Sequence, residues 1–147
     1  AIVIVKDAEP DDPQDFSFTT TCAGLSNFSL DDDDTIKGGE RKTLPSSKTF
    51  LDLVSGTYTV TEGEEDGWGL KDLSCTVEPS SGHTSFFSGW SQAGNVASID
   101  LAAGETVTCT FTNSMLGTVI VNKTALGGDA AFGYTNTGGG TLPPASS

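Results

Sequence analysis

Three side chains of different chemistry stand at the ends of apolar stripes. Side chains two apart on a β-strand share a face. By that rule Ile2, Ile4 and Lys6 share one face of "IVIVK", Tyr58, Val60 and Glu62 one face of "GTYTVTE", and Cys109, Phe111 and Asn113 one face of "VTCTFTN". Each stripe starts with core-grade residues and ends in an amine, a carboxyl or a carboxamide. Taken singly, each polar residue has an ordinary role. Lys6 would be an edge-strand lysine that discourages aggregation, Glu62 the first of the solvated acids Glu62, Glu64, Glu65 and Asp66, and Asn113 a strand-end turn residue.

The other reactive residue types form no constellation. His83 is the only histidine. It stands in "PSSGHTS", and the chain has no G-x-S-x-G, no metal-spaced His pair and no phosphate-cradling glycine loop. It reads as a turn residue, so neither turnover nor a cofactor is expected. Asp31 to Asp34 would suit calcium by charge, but they lack the alternating oxygen ligands and the glycine of the twelve-residue calcium loop. A solvated acidic loop, without metal, is the expectation. Trp68 and Trp90, with Phe86 and Phe87, would either plug the ends of a sandwich, the favoured reading, or offer a stacking surface to a sugar.

The elements that must position these residues are strands. Eighteen glycines, six prolines and few apolar runs of helical period argue against helices. Short Val, Ile, Thr and Phe runs bounded by Gly, Asp and Pro argue for an all-β fold. Strands are expected near 2–6, 16–21, 48–53, 56–62, 70–77, 84–90, 95–101 and 105–113. Their spacing suits a Greek-key sandwich, and glycines in "LVSGTY", "EEDGWG", "PSSGH" and "LAAGET" mark the turns. The chain has 147 residues, enough for one ordinary domain and a remainder. Its 7 basic and 20 acidic residues give a formal charge of −13, a field that repels nucleic acid and anionic membranes. No run long enough to span a bilayer and no signal peptide is read in the sequence, so if the product is exported Ala1 is expected to be a processed end.

The remainder is a partial repeat. "AIVIVKDAEPDDPQDFSFTTTCAG" (1–24) aligns without gaps on "GTVIVNKTALGGDAAFGYTNTGGG" (117–140), an offset of 119 − 3 = 116 residues. Identities fall at Val3/Val119, Ile4/Ile120, Val5/Val121, Phe16/Phe132, Thr19/Thr135, Thr21/Thr137 and Gly24/Gly140. Residues 1–116 are therefore expected to be a full domain, and 117–147 the first strands of a second copy, near 118–122 and 131–136. Asn122 stands where Lys6 would align, and Lys123 is out of phase.

"IVIVKDAE", "KTFLDLVSGTYTVTEGEEDGW" and "VTCTFTNS" resemble the B-type domains of Gram-positive collagen adhesins and pilins. These domains are transthyretin-like, or prealbumin-like, variants of the immunoglobulin sandwich. The resemblance touches the start, middle and end of residues 1–116. It implies that Lys6 condenses with Asn113, assisted by Glu62, to give an intramolecular isopeptide bond. Such chemistry needs a free amine and a protonated carboxyl, both products of burial, and so requires the three residues to converge in the core.

Cys75 and Cys109 lie on expected strands, and in an exported chain they are expected to form a disulfide, leaving Cys22 as the odd thiol. Asn27 and Asn122 head sequons and are candidate glycosylation sites. The expected role is an extracellular structural building block of a surface fibre, pilus-like filament or tandem stalk. Its partners would be copies of itself or adjacent repeats, joined head to tail by β-strand addition. The alternative is a monomeric secreted adhesin or carbohydrate-binding module.

Overall fold

The computed structural model describes residues 1–32, 44–82, 88–128, 130–133, 135 and 137. Its described residues form nine strands: β1 (Ile2–Glu9), β2 (Phe16–Thr20), β3 (Phe28–Leu30), β4 (Ser47–Phe50), β5 (Gly56–Glu62), β6 (Trp68–Glu78), β7 (Gly89–Ala93), β8 (Val96–Leu101) and β9 (Thr106–Met115). They build two sheets, in the orders β4-β1-β9-β6 and β3-β2-β5-β8-β7. The pairs are antiparallel except β1 with β9, where Ile2 faces Val107 and Ala8 faces Asn113 in parallel register. A parallel pair needs a long connection. Here everything between β1 and β9 supplies it, and the first and last strands become neighbours inside one sheet.

Period-two patterning decides which side of each strand is inward. β1 alternates strictly, with Ile2, Ile4, Lys6 and Ala8 buried, and β9 does so through Val107, Cys109, Phe111 and Asn113. On the opposing sheet Phe16, Phe18, Tyr58, Val60 and Ile99 are buried. The two inner faces meet through aromatic edges. The Phe18 ring lies 5.2 Å from Phe111 at an interplanar angle of 79°, and Phe16 lies 5.6 Å from Trp68 at 80°. These are the edge-to-face arrangements that the ring quadrupole favours.

Turn chemistry sets the register. β7 and β8 are joined by the two-residue loop Gly94-Asn95, with Gly94 at φ 60°, the first loop position, where a type II′ turn takes glycine. This hairpin puts β7 at Gly89–Ala93 rather than over the expected 84–90, of which residues 84–87 lie outside the described residues. β3 was not expected. Its three residues are too few to show alternation, and it exists because Phe16–Phe18 supplies a ladder.

The chain divides into two units, Ala1–Gly117 and Thr118–Ser147. In the second, no described residue lies in a strand. The strand expected at 118–122 is not formed in the single chain, and Val119, Ile120 and Val121 are 75%, 78% and 53% exposed. Two strands alone bury too little to hold together, which accounts for the difference. Of the second expected strand, 131–136, Tyr134 and Asn136 lie outside the described residues, and the others are unpaired. Within this unit the Lys123 ammonium sits 4.4 Å from the centre of the Phe132 ring.

Candidate functional site

Three strands bring the polar stripe ends together. Lys6 comes from the middle of β1, Glu62 from the last position of β5 and Asn113 from near the end of β9. β1 and β9 are interior neighbours in one sheet, while β5 lies in the other, so the three meet across the inter-sheet core. All are buried, at 2%, 1% and 4% exposure. The ordinary roles fail on this point. Lys6 is on an interior strand and not an edge, Glu62 does not belong to the solvated acidic run, and Asn113 is inside β9 and not in a turn.

Lys6 Nζ donates to Asn113 Oδ1 at 3.0 Å, to the Asp7 carbonyl at 2.6 Å and to the Phe111 carbonyl at 3.3 Å. Glu62 Oε1 lies 3.7 Å away, and the Phe16 ring covers the nitrogen with its centre at 3.9 Å. Three acceptors match an ammonium's three donors. Burial outweighs them: desolvation pushes the Lys6 pKa below its ordinary value, although Glu62, Asp32 and Asp7 pull it up. Desolvation also raises Glu62, against the lowering effects of the neighbouring Asn113 carboxamide and of Lys6; Glu62 Oε1 is buried without a hydrogen-bond partner. Both shifts favour the neutral forms, a free amine beside a protonated carboxyl.

Glu62 is held by its backbone as well. Its N–H donates to the Asn95 carbonyl at 3.0 Å, and its own carbonyl accepts from Asn95 Nδ2. Gly63 N donates to the Ser17 carbonyl at 2.7 Å, tying the strand end to β2. A cleft of about 580 Å³ opens next to the site, with Glu62, Trp68, Asn95, Asn113 and Leu116 among its lining residues.

One participant was invisible in the sequence. Asp32, from the supposedly solvated acidic run, is half-buried; its Oδ2 accepts from Ala8 N at 3.2 Å, and its Oδ1 is buried without a partner. Desolvation raises its pKa. Asp31 is buried too, so the solvated-loop expectation is corrected for both residues; Asp33 and Asp34 lie outside the described residues. Nothing in a run of four aspartates marks which of them turn inward. Among the described residues no group of acids, His or Cys is arranged to hold a metal.

The remaining candidates separate cleanly. Cys75 and Cys109 face each other across β6 and β9 and are joined by a disulfide. Cys22 is a free, half-buried thiol that donates to the Thr57 carbonyl at 3.2 Å. Asn27 and Asn122 are exposed, and the Asn27 side chain accepts from Thr20 N. Trp68 is buried against Phe16, while Trp90 is 38% exposed on β7. Phe86, Phe87 and His83 lie outside the described residues. No helix among the described residues is long and apolar enough to cross a membrane.

No curated protein and no solved structure matches the chain. A family model of the SpaA type, described as a prealbumin-like fold domain, matches residues 2–115, the span from the first residue of β1 to the last of β9. The chain therefore belongs to the SpaA-type prealbumin-like fold domain family, a structural, pilin-like class of surface-protein domain.

Proposed function

We propose that the chain is an extracellular structural building block of a surface fibre, pilus-like filament or tandem stalk, its domain locked by an amide bond between Lys6 and Asn113. The observation that supports this most directly is the meeting of a buried amine, carboxyl and carboxamide, with Lys6 Nζ 3.0 Å from Asn113 Oδ1. The free amine attacks the Asn113 carboxamide carbon. Protonated Glu62 polarises the carboxamide and returns the amine proton to the leaving nitrogen. A C–N bond forms, a C–N bond breaks, and ammonia departs toward the adjoining cleft with no change of oxidation state. Catalysis is spent once, on the chain itself.

The register explains what the bond would do in a fibre. Because β1 and β9 are parallel, the chain enters the domain at the Val107 end of β9 and leaves it beyond Met115, at the opposite end. Tension between the two exits shears β1 along β9. A Lys6–Asn113 bond spans a sequence separation of 107 and passes that load directly between the two strands. By analogy with a disulfide closing a loop of ~100 residues, it stabilises by roughly 4 to 5 kcal/mol in the chain-entropy treatment.

Assembly proceeds head to tail, with residues 118–122 adding as a strand to a neighbouring copy; their exposure and strand composition support this. The test of the lock is intact mass. With the disulfide state fixed, the chain is expected to weigh about 17 Da less than its sequence, the ammonia lost on condensation. Lys6→Ala should abolish that deficit; an undiminished wild-type mass refutes the bond. Imaging of native material, filament against monomer, tests the fibre.

A further inference from the structure

We infer that the open edge of β6, between Leu73 and Val77, is the acceptor for residues 118–122 of a second copy of this chain. The inference rests on the strand-addition reading above and names the surface it uses. Among the described residues the sheets end in four edges, β4, β6, β3 and β7. β6 is the longest, 11 residues against 4, 3 and 5.

The disulfide reveals which backbone groups of β6 are free to pair. Opposed residues in an antiparallel ladder alternate between wide hydrogen-bonded pairs and narrow non-hydrogen-bonded ones. Cys75 and Cys109 are directly opposed with Cα atoms 4.0 Å apart, a narrow pair. The N–H and C=O of Cys75 therefore point away from β9, toward the open edge, as do those of Leu73 and Val77. Ser74 and Thr76 serve β9 instead.

The same three residues turn their side chains toward the core, yet Cys75 and Val77 are only half-buried against it. An added strand would cover that apolar margin while satisfying the outward backbone groups. Edge strands are ordinarily guarded by charge. Here the charges stop at Asp72 and resume at Glu78, leaving "LSCTV" bare. The donor "TVIVN", residues 118–122, is equally uncharged and of the same length. This removes charge repulsion from the contact even though each copy carries a formal charge of −13. The β7 edge is uncharged too, but from Trp90 to Ala93 its side chains are exposed and only Trp90 is large and apolar, so a strand added there would bury little.

The test is sedimentation of the full chain over a concentration series, in a Cys22→Ser background that excludes thiol-linked dimers. Thr76→Lys puts a charge on the exposed face of the acceptor, and Val77→Pro removes an outward N–H without touching the β9 ladder. Each should raise the concentration needed for assembly by about tenfold or more, as should Ile120→Asp in the donor, whereas Ser91→Lys on β7 should leave it unchanged. Unaltered melting of Thr76→Lys confirms that the fold persists. If Ile120→Asp abolishes assembly while Thr76→Lys and Val77→Pro do not, strand donation stands and the β6 acceptor is overturned. If assembly survives Ile120→Asp, or the parent chain stays monomeric throughout, strand addition and this acceptor fall together.

Discussion

Residues 3–5 and 119–121 are the same three letters, Val-Ile-Val, in two physical states. The first set lies inside β1, with β4 on one side and β9 on the other, and Ile4 is fully buried. The second has no ladder, and Ile120 is 78% exposed. Local propensity is identical, so it cannot be the cause of the difference. What differs is whether partners exist for the backbone groups and for the apolar face, which is the context dependence of β-structure in its simplest form. A second contrast follows one residue later: Lys6 reaches a carboxyl and a carboxamide, while its counterpart Asn122 is exposed.

The contrast can be broken or sharpened at several points. The largest effect is expected from Lys6→Ala, which should lower the unfolding free energy by roughly 4 to 5 kcal/mol through loss of the long closed loop. Thermal denaturation read against intact mass separates that loss from a mere packing defect. The reverse substitution in the tail, Asn122→Lys, should produce no further mass deficit, since position 122 is exposed and burial is what frees the amine.

Next in size is the Cys75–Cys109 disulfide, which spans a sequence separation of 34. Replacing both cysteines by serine in a Lys6→Ala background should cost about 3 to 4 kcal/mol in denaturant titration. In the linked chain the cost should be smaller, because the 107-residue separation between Lys6 and Asn113 is already closed. Equal costs in the two backgrounds would show that no such loop exists.

A pH series gives a subtler reading. In an unlinked Glu62→Gln chain Lys6 remains a buried amine with a lowered pKa. The folded state then binds fewer protons than the unfolded one between that lowered value and the ordinary 10.5. Stability should be full above 10.5 and fall as pH drops through the lowered value. In the linked chain that dependence vanishes; Asp32, also raised by burial, adds a loss of the same sign as that of Glu62, and Glu62 is the more deeply buried of the two. Its raised pKa makes stability fullest below the ordinary 4.5, with loss as pH rises through the raised value. Denaturation midpoints across pH distinguish the two slopes by sign. The smallest effect belongs to the tail: removing residues 118–147, of which no described residue lies in a strand, should change the stability of the first unit by no more than about 0.5 kcal/mol.

Much of this was legible in the letters. Alternation along β1, β5 and β9 assigned Lys6, Glu62 and Asn113 to the faces of their core residues, and glycines such as Gly67 and Gly104, both at positive φ, marked turns. β3 was not legible, because three residues carry no period and its strand exists through pairing with β2. Neither was the inward turn of Asp31 and Asp32, since a run of four acids reads as solvated wherever burial is unknown. The register shift in β6 between Leu70 and Asp72 also has no local signature.

Sequence alone determined the all-β character, the inward faces of β1, β5 and β9 and the return of the letters Val-Ile-Val after 116 residues, because period-two patterning and self-similarity are properties of one chain read in order. Only the tertiary structure decided that β1 lies parallel to β9 and that the end of β5, in the other sheet, faces them, which brings an amine, a carboxyl and a carboxamide from positions 6, 62 and 113 into one buried point. It also decided that Val119 to Val121 remain uncovered in the single chain. Proximity between distant residues and the presence of a pairing partner are facts about space, and no local pattern encodes them.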